Sequence, residues 1–469
     1  MPQVVIVHGW SDTSKSFMEL AGFLKKNGFE AFPIWLGDYV SLADDVAVKD
    51  VAKRMKAVLD EKIARSELIV PFDMIVHSTG GLVAREWLTC YRDEDQLPCP
   101  IKRLVMLAPA NFGSRLASMG QSMLGRLVKG WKNWFHTGTR MLQNLELSSP
   151  YLWDLVKRDL LSTTPVSMRP IYGEEGVWPF VIVGTQPYTS PLRSILNEQG
   201  ADGTVRVSAA NMNVLGATVD FSADETDPDV TPWNQRTSSA WTMPLAVLPD
   251  HDHTSITKSE AHTQLAELIL VALRCDSAAG YRVIADNWSQ VSEKTALQGL
   301  VDPADSNSAP GDGEKANCHQ FMQVNVHVVD DHGDDVPDYF LEFYGPSGLR
   351  ISDHLMAYFH KEVLQHVHVN GQNPAYRCLY VDRTDLHKRF YAMIPENAVK
   401  KLWMSISATP LGDNVCYFNN YKTGAAGQVL AHQLEDDGLT FQFRRNTTHF
   451  IEIVIPRTPR ENVFRLKRA

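Results

Sequence analysis

Along the first 275 or so residues the apolar positions switch repeatedly between two spacings. Gln3 to His8 is a continuous β-branched run, as a parallel strand buried on both faces requires. Phe17, Leu20, Ala21, Phe23 and Leu24 then recur at helical intervals. Lys25-Lys26-Asn27-Gly28 stops that helix, with cations on its last turn and a glycine beyond it. Phe29 to Trp35 predicts a second strand, and Val46, Val48, Val51, Met55, Val58, Leu59 and Ile63 return to helical spacing. Phe72 to His77 is strand-like, residues 79–90 helical, and Leu104 to Ala108 a strand again. Pro179 to Gly184 and Met243 to Leu248 predict two more core strands, and residues 259–275 a closing helix. Such alternation predicts a mainly parallel sheet with helices on both faces.

The alternation breaks in two places. From Gly113 to about Pro170, Leu116, Met119, Met123 and Leu127 share one helical face, followed by Trp131, Trp134 and Phe135 and then Leu152, Trp153 and Leu155. Between Gly113 and Leu145 this insert carries Arg115, Arg126, Lys129, Lys132 and Arg140 and no acidic residue. A basic, aromatic-rich amphipathic segment fits a lid over an apolar pocket that rests transiently on an anionic membrane surface; the plainer alternative is a helical hairpin packed on the core. The second break follows residue 278. Asp302 to Glu314 is too polar to bury itself, so 279–318 is expected to be a linker between a domain at 1–278 and another at 319–469. In the latter, Val324, Val326 and Val328 alternate with Asn325 and His327, and Tyr339 to Tyr344 and His449 to Ile455 are further strands. Asp330 to Asp335 reads as the hairpin turn between the first two, and the whole as an antiparallel β-sandwich.

Composition narrows the function. A length of 469 residues with 44% hydrophobic and 21% charged suits a globular two-domain protein, and no apolar run approaches the length of a membrane span. The net charge of −10 argues against nucleic acid as a partner. The first strand begins at once, with no basic leader, so the expected location is cytoplasmic, with a trimmed mature form or a non-classical export route as alternatives. The six cysteines have no metal-type spacing and are expected to be reduced, with Cys90 and Cys99 as the only pair near enough in sequence to consider bridging.

The chemistry concentrates where strand meets helix at Val76-His77-Ser78-Thr79-Gly80-Gly81. A strand driving straight into a helix holds Ser78 at the tip of a tight turn, where its hydroxyl stands above the sheet and the helix N-terminus lies beneath it. Gly80 supplies the small neighbour the turn needs, whereas Val76 stands where the G-x-S-x-G pattern has its first glycine. At the end of the first strand, His8-Gly9-Trp10 can turn backbone N–H groups into the same space, a candidate oxyanion hole.

These two motifs, together with Leu107-Ala108-Pro109-Ala110-Asn111-Phe112-Gly113-Ser114, make residues 1–275 resemble the α/β-hydrolase superfamily in its bacterial lipase and esterase branch. The resemblance implies that fold with a helical lid insert, and a serine hydrolase cleaving carboxylic esters of lipids: a lipase, phospholipase A or long-chain esterase. It implies Ser78 as nucleophile and Asp202, in the Gly-flanked turn Gly200-Ala201-Asp202-Gly203, as the acid. It places the base at His253, after the last strand, with His251 as the alternative, and the oxyanion donors at Trp10 and Thr79. No metal or cofactor is required, although Asp250 and Asp252, or the Asp330 to Asp335 cluster, could hold Ca²⁺. Two other readings use the same residues: a catalytically idle lipid- or protein-binding module, and a thioesterase, amidase or acyltransferase.

Overall fold

The structure, a computed structural model, describes residues 1–9, 14–34, 44–94, 96–119, 138–165, 170–191, 193–225, 228–237, 241–258, 263–300, 316–344, 352–396, 403–410, 412–418, 430–433, 443–464 and 466. Two compact units emerge, one of residues 1–214 and 234–320, the other of residues 215–233 and 321–469.

In chain order the first part runs β1 (Gln3–Val7), α1 (Ser14–Lys26), β2 (Glu30–Ile34), α2 (Val48–Ala64), β3 (Phe72–His77), α3 (Thr79–Thr89), β4 (Ile101–Leu107), α4 (Thr139–Leu145), α5 (Pro150–Asp159) and β5 (Trp178–Gly184). It continues with β6 (Leu215–Asp220), β7 (Asp229–Pro232), β8 (Leu245–Leu248), α6 (Gln264–Leu273) and α7 (Ala278–Gln298). Six of these strands form one parallel sheet in the order β8-β5-β4-β3-β1-β2. The central strands are buried on both faces, which is why β1 and β5 read as unbroken apolar runs. From β1 the chain steps outward to β2 and then returns to the other side of β1 as β3. The tips of β1 and β3 therefore lie at the reversal of strand order, where parallel sheets of this kind hold their sites.

The expected linker begins instead as a helix. In α7, Tyr281, Ile284 and Trp288 are buried at helical spacing, and Ser277 caps the N-terminus by accepting from the Gly280 N–H. Two of its polar residues serve the sheet edge: Ser292 Oγ donates to the Leu245 carbonyl and accepts from the Val247 N–H, and Thr295 Oγ1 donates to the Val247 carbonyl. The helix thus covers the open edge of β8, a place where unpaired backbone is otherwise exposed. The Pro/Gly/Ser-rich stretch at 302–314 lies outside the described residues.

The expected lid, 113–170, divides. Residues 120–137, with Trp131, Trp134 and Phe135, lie outside the described residues. Residues 138–165 are core rather than cover: Met141, Leu145, Leu152, Trp153, Leu155 and Val156 are buried. Charged residues exchanged in sign fasten α5 to α3. The Arg85 guanidinium donates to both oxygens of Asp159 at 2.8 and 3.0 Å, all fully buried, while Arg158 and Tyr151 donate to Glu86 at 2.7 and 2.8 Å.

The second unit continues with β9 (Phe321–Asp330), β10 (Tyr339–Tyr344), β11 (Leu364–Val369), β12 (Tyr376–Asp382), β13 (Trp403–Ala408), β14 (Leu430–Gln433) and β15 (Thr447–Ile455). One sheet has the order β11-β12-β9-β15-β6-β7, a second the order β10-β13-β14. Val326 and Val328 of β9, Ile451 and Ile453 of β15, and Ala217 and Val219 of β6 share a core with Phe343 of β10 and Met404 and Ile406 of β13. The larger sheet is mixed, not antiparallel, because β15 inserts parallel to both β9 and β6. β9 and β10 belong to different sheets, so the Asp330 turn is no hairpin between them. The buried Asp330 carboxylate accepts from the His332 and Asp334 N–H groups and from Arg457, a set of bonds that shapes the turn. No disulfide joins any of the six cysteines, all among the described residues, Cys90 and Cys99 included.

Candidate active site

Ser78 joins β3 to α3 with φ 55° and ψ −126°, a strained backbone for a residue with a side chain. Its surroundings impose it. The Ser78 N–H donates to the Leu107 carbonyl at the tip of β4, and the Ser78 carbonyl accepts from Ala110 and Gly81. A Cβ on Gly9 would lie 2.6 Å from both the Ser78 Cβ and the His77 carbonyl, and one on Gly80 would lie 2.9 Å from the Val7 carbonyl. The crowding of the turn therefore falls on Gly9 and Gly80. Val76, where a glycine was expected, is a fully buried ladder residue between Val7 and Met106.

Asp202 stands in a turn that depends on its glycines. Gly203 has φ +93°, and a Cβ there would meet the Tyr188 ring at 2.6 Å. The carboxylate is fully buried, and Oδ1 accepts from the Thr204 and Val205 N–H groups at 3.0 and 2.7 Å. That leaves Oδ2 for His253, whose Nδ1 lies 2.8 Å away. On the other side of the ring, His253 Nε2 lies 3.0 Å from Ser78 Oγ. In the neutral imidazole Nδ1 carries the proton toward the carboxylate, and Nε2 accepts from the serine hydroxyl. A hydroxyl, an imidazole and a carboxylate separated along the sequence thus form one buried chain of hydrogen bonds at the strand tips.

His251 is not part of it. Its ring bonds the neighbouring Asp250 at 2.9 Å and makes no hydrogen bond with Ser78 or Asp202. Asp252 accepts from the Thr254 and Ser255 N–H groups and so shapes the loop that presents His253. Thr79 is the first residue of α3, where a backbone N–H has no partner within the helix, and its nitrogen lies 3.3 Å from the Gly9 Cβ position. Trp10, the other expected donor, lies outside the described residues.

The sequence reading missed two residues here. His77 is fully buried, its Nε2 lies 3.0 Å from the His253 carbonyl, and its ring centroid is 4.8 Å from that of His253. Burial, then the charges His253 and His8 would carry, hold its pKa well below that of an ordinary histidine, so it is neutral. Its place next to Ser78 was the one available signal. Arg85 also bonds the Asn111 carbonyl, tying α3 to the loop after β4; burial opposes its charge, and Asp159 more than offsets this, raising its pKa. Nothing in the local pattern marked it.

Among solved structures, phospholipase PlaB from Legionella pneumophila matches with a TM-score of 0.76 at 23% identity, covering 100% of this chain and 96% of that one. The same phospholipase in complex with thio-NAD gives 0.75 at 22% identity over 99% and 96%. The mature form of Bacillus licheniformis lipase BlEst2 gives 0.37 at 16% identity over 55% and 86%. At 23% and 22% identity the likeness to the phospholipase is one of fold. No curated protein sequence matches the chain. The pattern of the Alpha/beta hydrolase family matches residues 4–268, more than half of the 469, and the chain belongs to that family.

Proposed function

We propose that this protein is a serine hydrolase that cleaves carboxylic esters of lipids through an acyl-enzyme. The observation that carries the reading is the continuity of Ser78 Oγ, His253 and Asp202 at 3.0 and 2.8 Å. In the first step Ser78 Oγ attacks the acyl carbon as its proton passes to His253 Nε2, and the carbonyl oxygen becomes an oxyanion. The Thr79 and Trp10 N–H groups receive that charge, each such donor being worth roughly 3 kcal/mol in the transition state. Collapse breaks the ester bond, and His253 gives its proton to the departing alcohol. Water then repeats the sequence on the acyl-serine, releasing the acid and restoring the hydroxyl. Asp202 holds Nδ1 protonated and stabilises the imidazolium.

The lipid part of the reading is supported by the full-length likeness to an enzyme described as a phospholipase and by the aromatic, basic composition of residues 113–145. A fluorophosphonate should label wild type at Ser78 and leave Ser78→Ala unlabelled. Ser78→Ala should also lose p-nitrophenyl ester turnover by at least about 10⁴-fold. Labelling elsewhere, or retained turnover, would remove Ser78 from the reaction. A panel of phospholipids, triglycerides, thioesters and amides then separates the lipid esterase from a thioesterase or amidase on the same residues, and an unreactive serine would leave the binding-module reading.

A further inference from the structure

We infer that His77 is a positioning residue that fixes the peptide group of His253, so that nucleophile and base move as one body. This rests on the reading just given of Ser78 and His253. Side-chain bonds join Ser78, His253 and Asp202 once; the backbone of His253 joins the same segments a second time. Its N–H donates to the Asp202 carbonyl at 2.9 Å, and its carbonyl accepts from His77 Nε2 at 3.0 Å. The loop bearing the base is therefore bracketed between the acid and the residue immediately before the nucleophile.

The protonation state follows from this geometry. A carbonyl can only accept, so His77 must carry its proton on Nε2. Nδ1 is then a bare acceptor, and it is buried without a partner. An unsatisfied buried polar atom is costly, and an apolar ring would avoid that cost, so the bond to His253 is the one polar contribution this side chain makes. Neutrality also matters to the reaction, because a second cation 4.8 Å from the His253 ring would oppose the imidazolium that forms when Ser78 attacks.

The test pairs His77→Phe, which keeps a ring and removes the donor, with His77→Gln, which retains a donor near the same place. With melting temperature unchanged, His77→Phe should lower kcat by about 10²-fold, the scale of an ångström-level misplacement, with KM nearly constant and the acid limb of the pH profile displaced. His77→Gln should recover most of the loss. A folded His77→Phe with wild-type kcat, or a Gln variant as impaired as Phe, would overturn the role. Imidazole ¹⁵N spectra of the unmodified protein give an independent reading: one histidine should stay in the neutral Nε2–H form at pH values where an ordinary histidine, with a pKa of about 6.5, is charged. Titration of His77 near that ordinary value would refute the inference even if His77→Phe failed to fold. Ser78→Ala run alongside separates the outcomes, since activity surviving there would discard the triad itself, whereas its loss beside an unaffected His77→Phe would discard the positioning role alone.

Discussion

Removing the Asp159 carboxylate while keeping its shape isolates the clamp between α3 and α5. Arg85 gives Asp159 two nearly parallel hydrogen bonds, at 2.8 and 3.0 Å, and both side chains are wholly inaccessible to water. In Asp159→Asn the guanidinium remains buried and charged with no counter-charge, and breaking one side of such a pair costs about 3–5 kcal/mol. At about 2–3 °C per kcal/mol for a unit of this size, the melting temperature of the first unit should fall by roughly 6–15 °C. Differential scanning calorimetry reads this directly. The companion double variant, Arg85→Met with Asp159→Leu, removes both charges and fills the space with apolar atoms, and it should regain part of the loss, because well-packed apolar replacements of buried pairs are often neutral while the Asn111 carbonyl still loses its Arg85 donor. A shift below about 2 °C in Asp159→Asn, corresponding to less than about 1 kcal/mol, would refute the argument that an unpaired buried charge dominates. So would a double variant less stable than the single one.

Three further outcomes follow. Asp202→Asn should keep the fold but cost about 10⁴-fold in kcat on a p-nitrophenyl ester, because the amide no longer enforces the Nδ1–H tautomer of His253; a loss under tenfold would make the carboxylate incidental. Gly9→Ala should cost about 10²-fold in kcat, since its Cβ would sit 2.6 Å from the Ser78 Cβ and the turn must shift; unchanged kinetics would show that the loop yields freely. Burial, then the nearby Arg444 and Arg383, push the His449 pKa down to about 3. Between about pH 6.5 and 3 the unfolded chain therefore binds a proton that the native one does not, so this stability is complete above pH 6.5 and declines on acidification by about 1.4 kcal/mol per pH unit. Denaturation midpoints across pH 7 to 5 should slope less in His449→Gln, and an identical slope would refute it.

The sheet and its elbow were legible because each rests on a local rule. Apolar runs mark strands buried on both faces, as in β1 and β5, and a serine between a strand and a glycine pair marks the turn. Less legible was whatever distant partners decide. Helix α7 is obscured by the expectation of a linker after residue 278, although Tyr281, Ile284 and Trp288 carry the helical period that reveals it. The aromatic residues of α5 suit a lid and a core equally, and the bonds from Arg85 and to Glu86, both on another helix, are among those that hold α5 in the core. Strand direction in the second unit was misjudged because alternation gives a strand's faces and is silent on its neighbours.

The hairpin β6–β7 lies between the acid turn and the base loop in sequence, yet its sheet partner is β15, near the other end of the chain. At a synthesis rate of about 5–20 residues per second, roughly ten to fifty seconds separate the emergence of these strands from the ribosome. During that interval the nascent chain carries a strand edge awaiting its mate, a natural client for a chaperone. The same stitching restricts evolutionary shuffling: no single cut between two consecutive segments releases either unit intact, so the pair is inherited together.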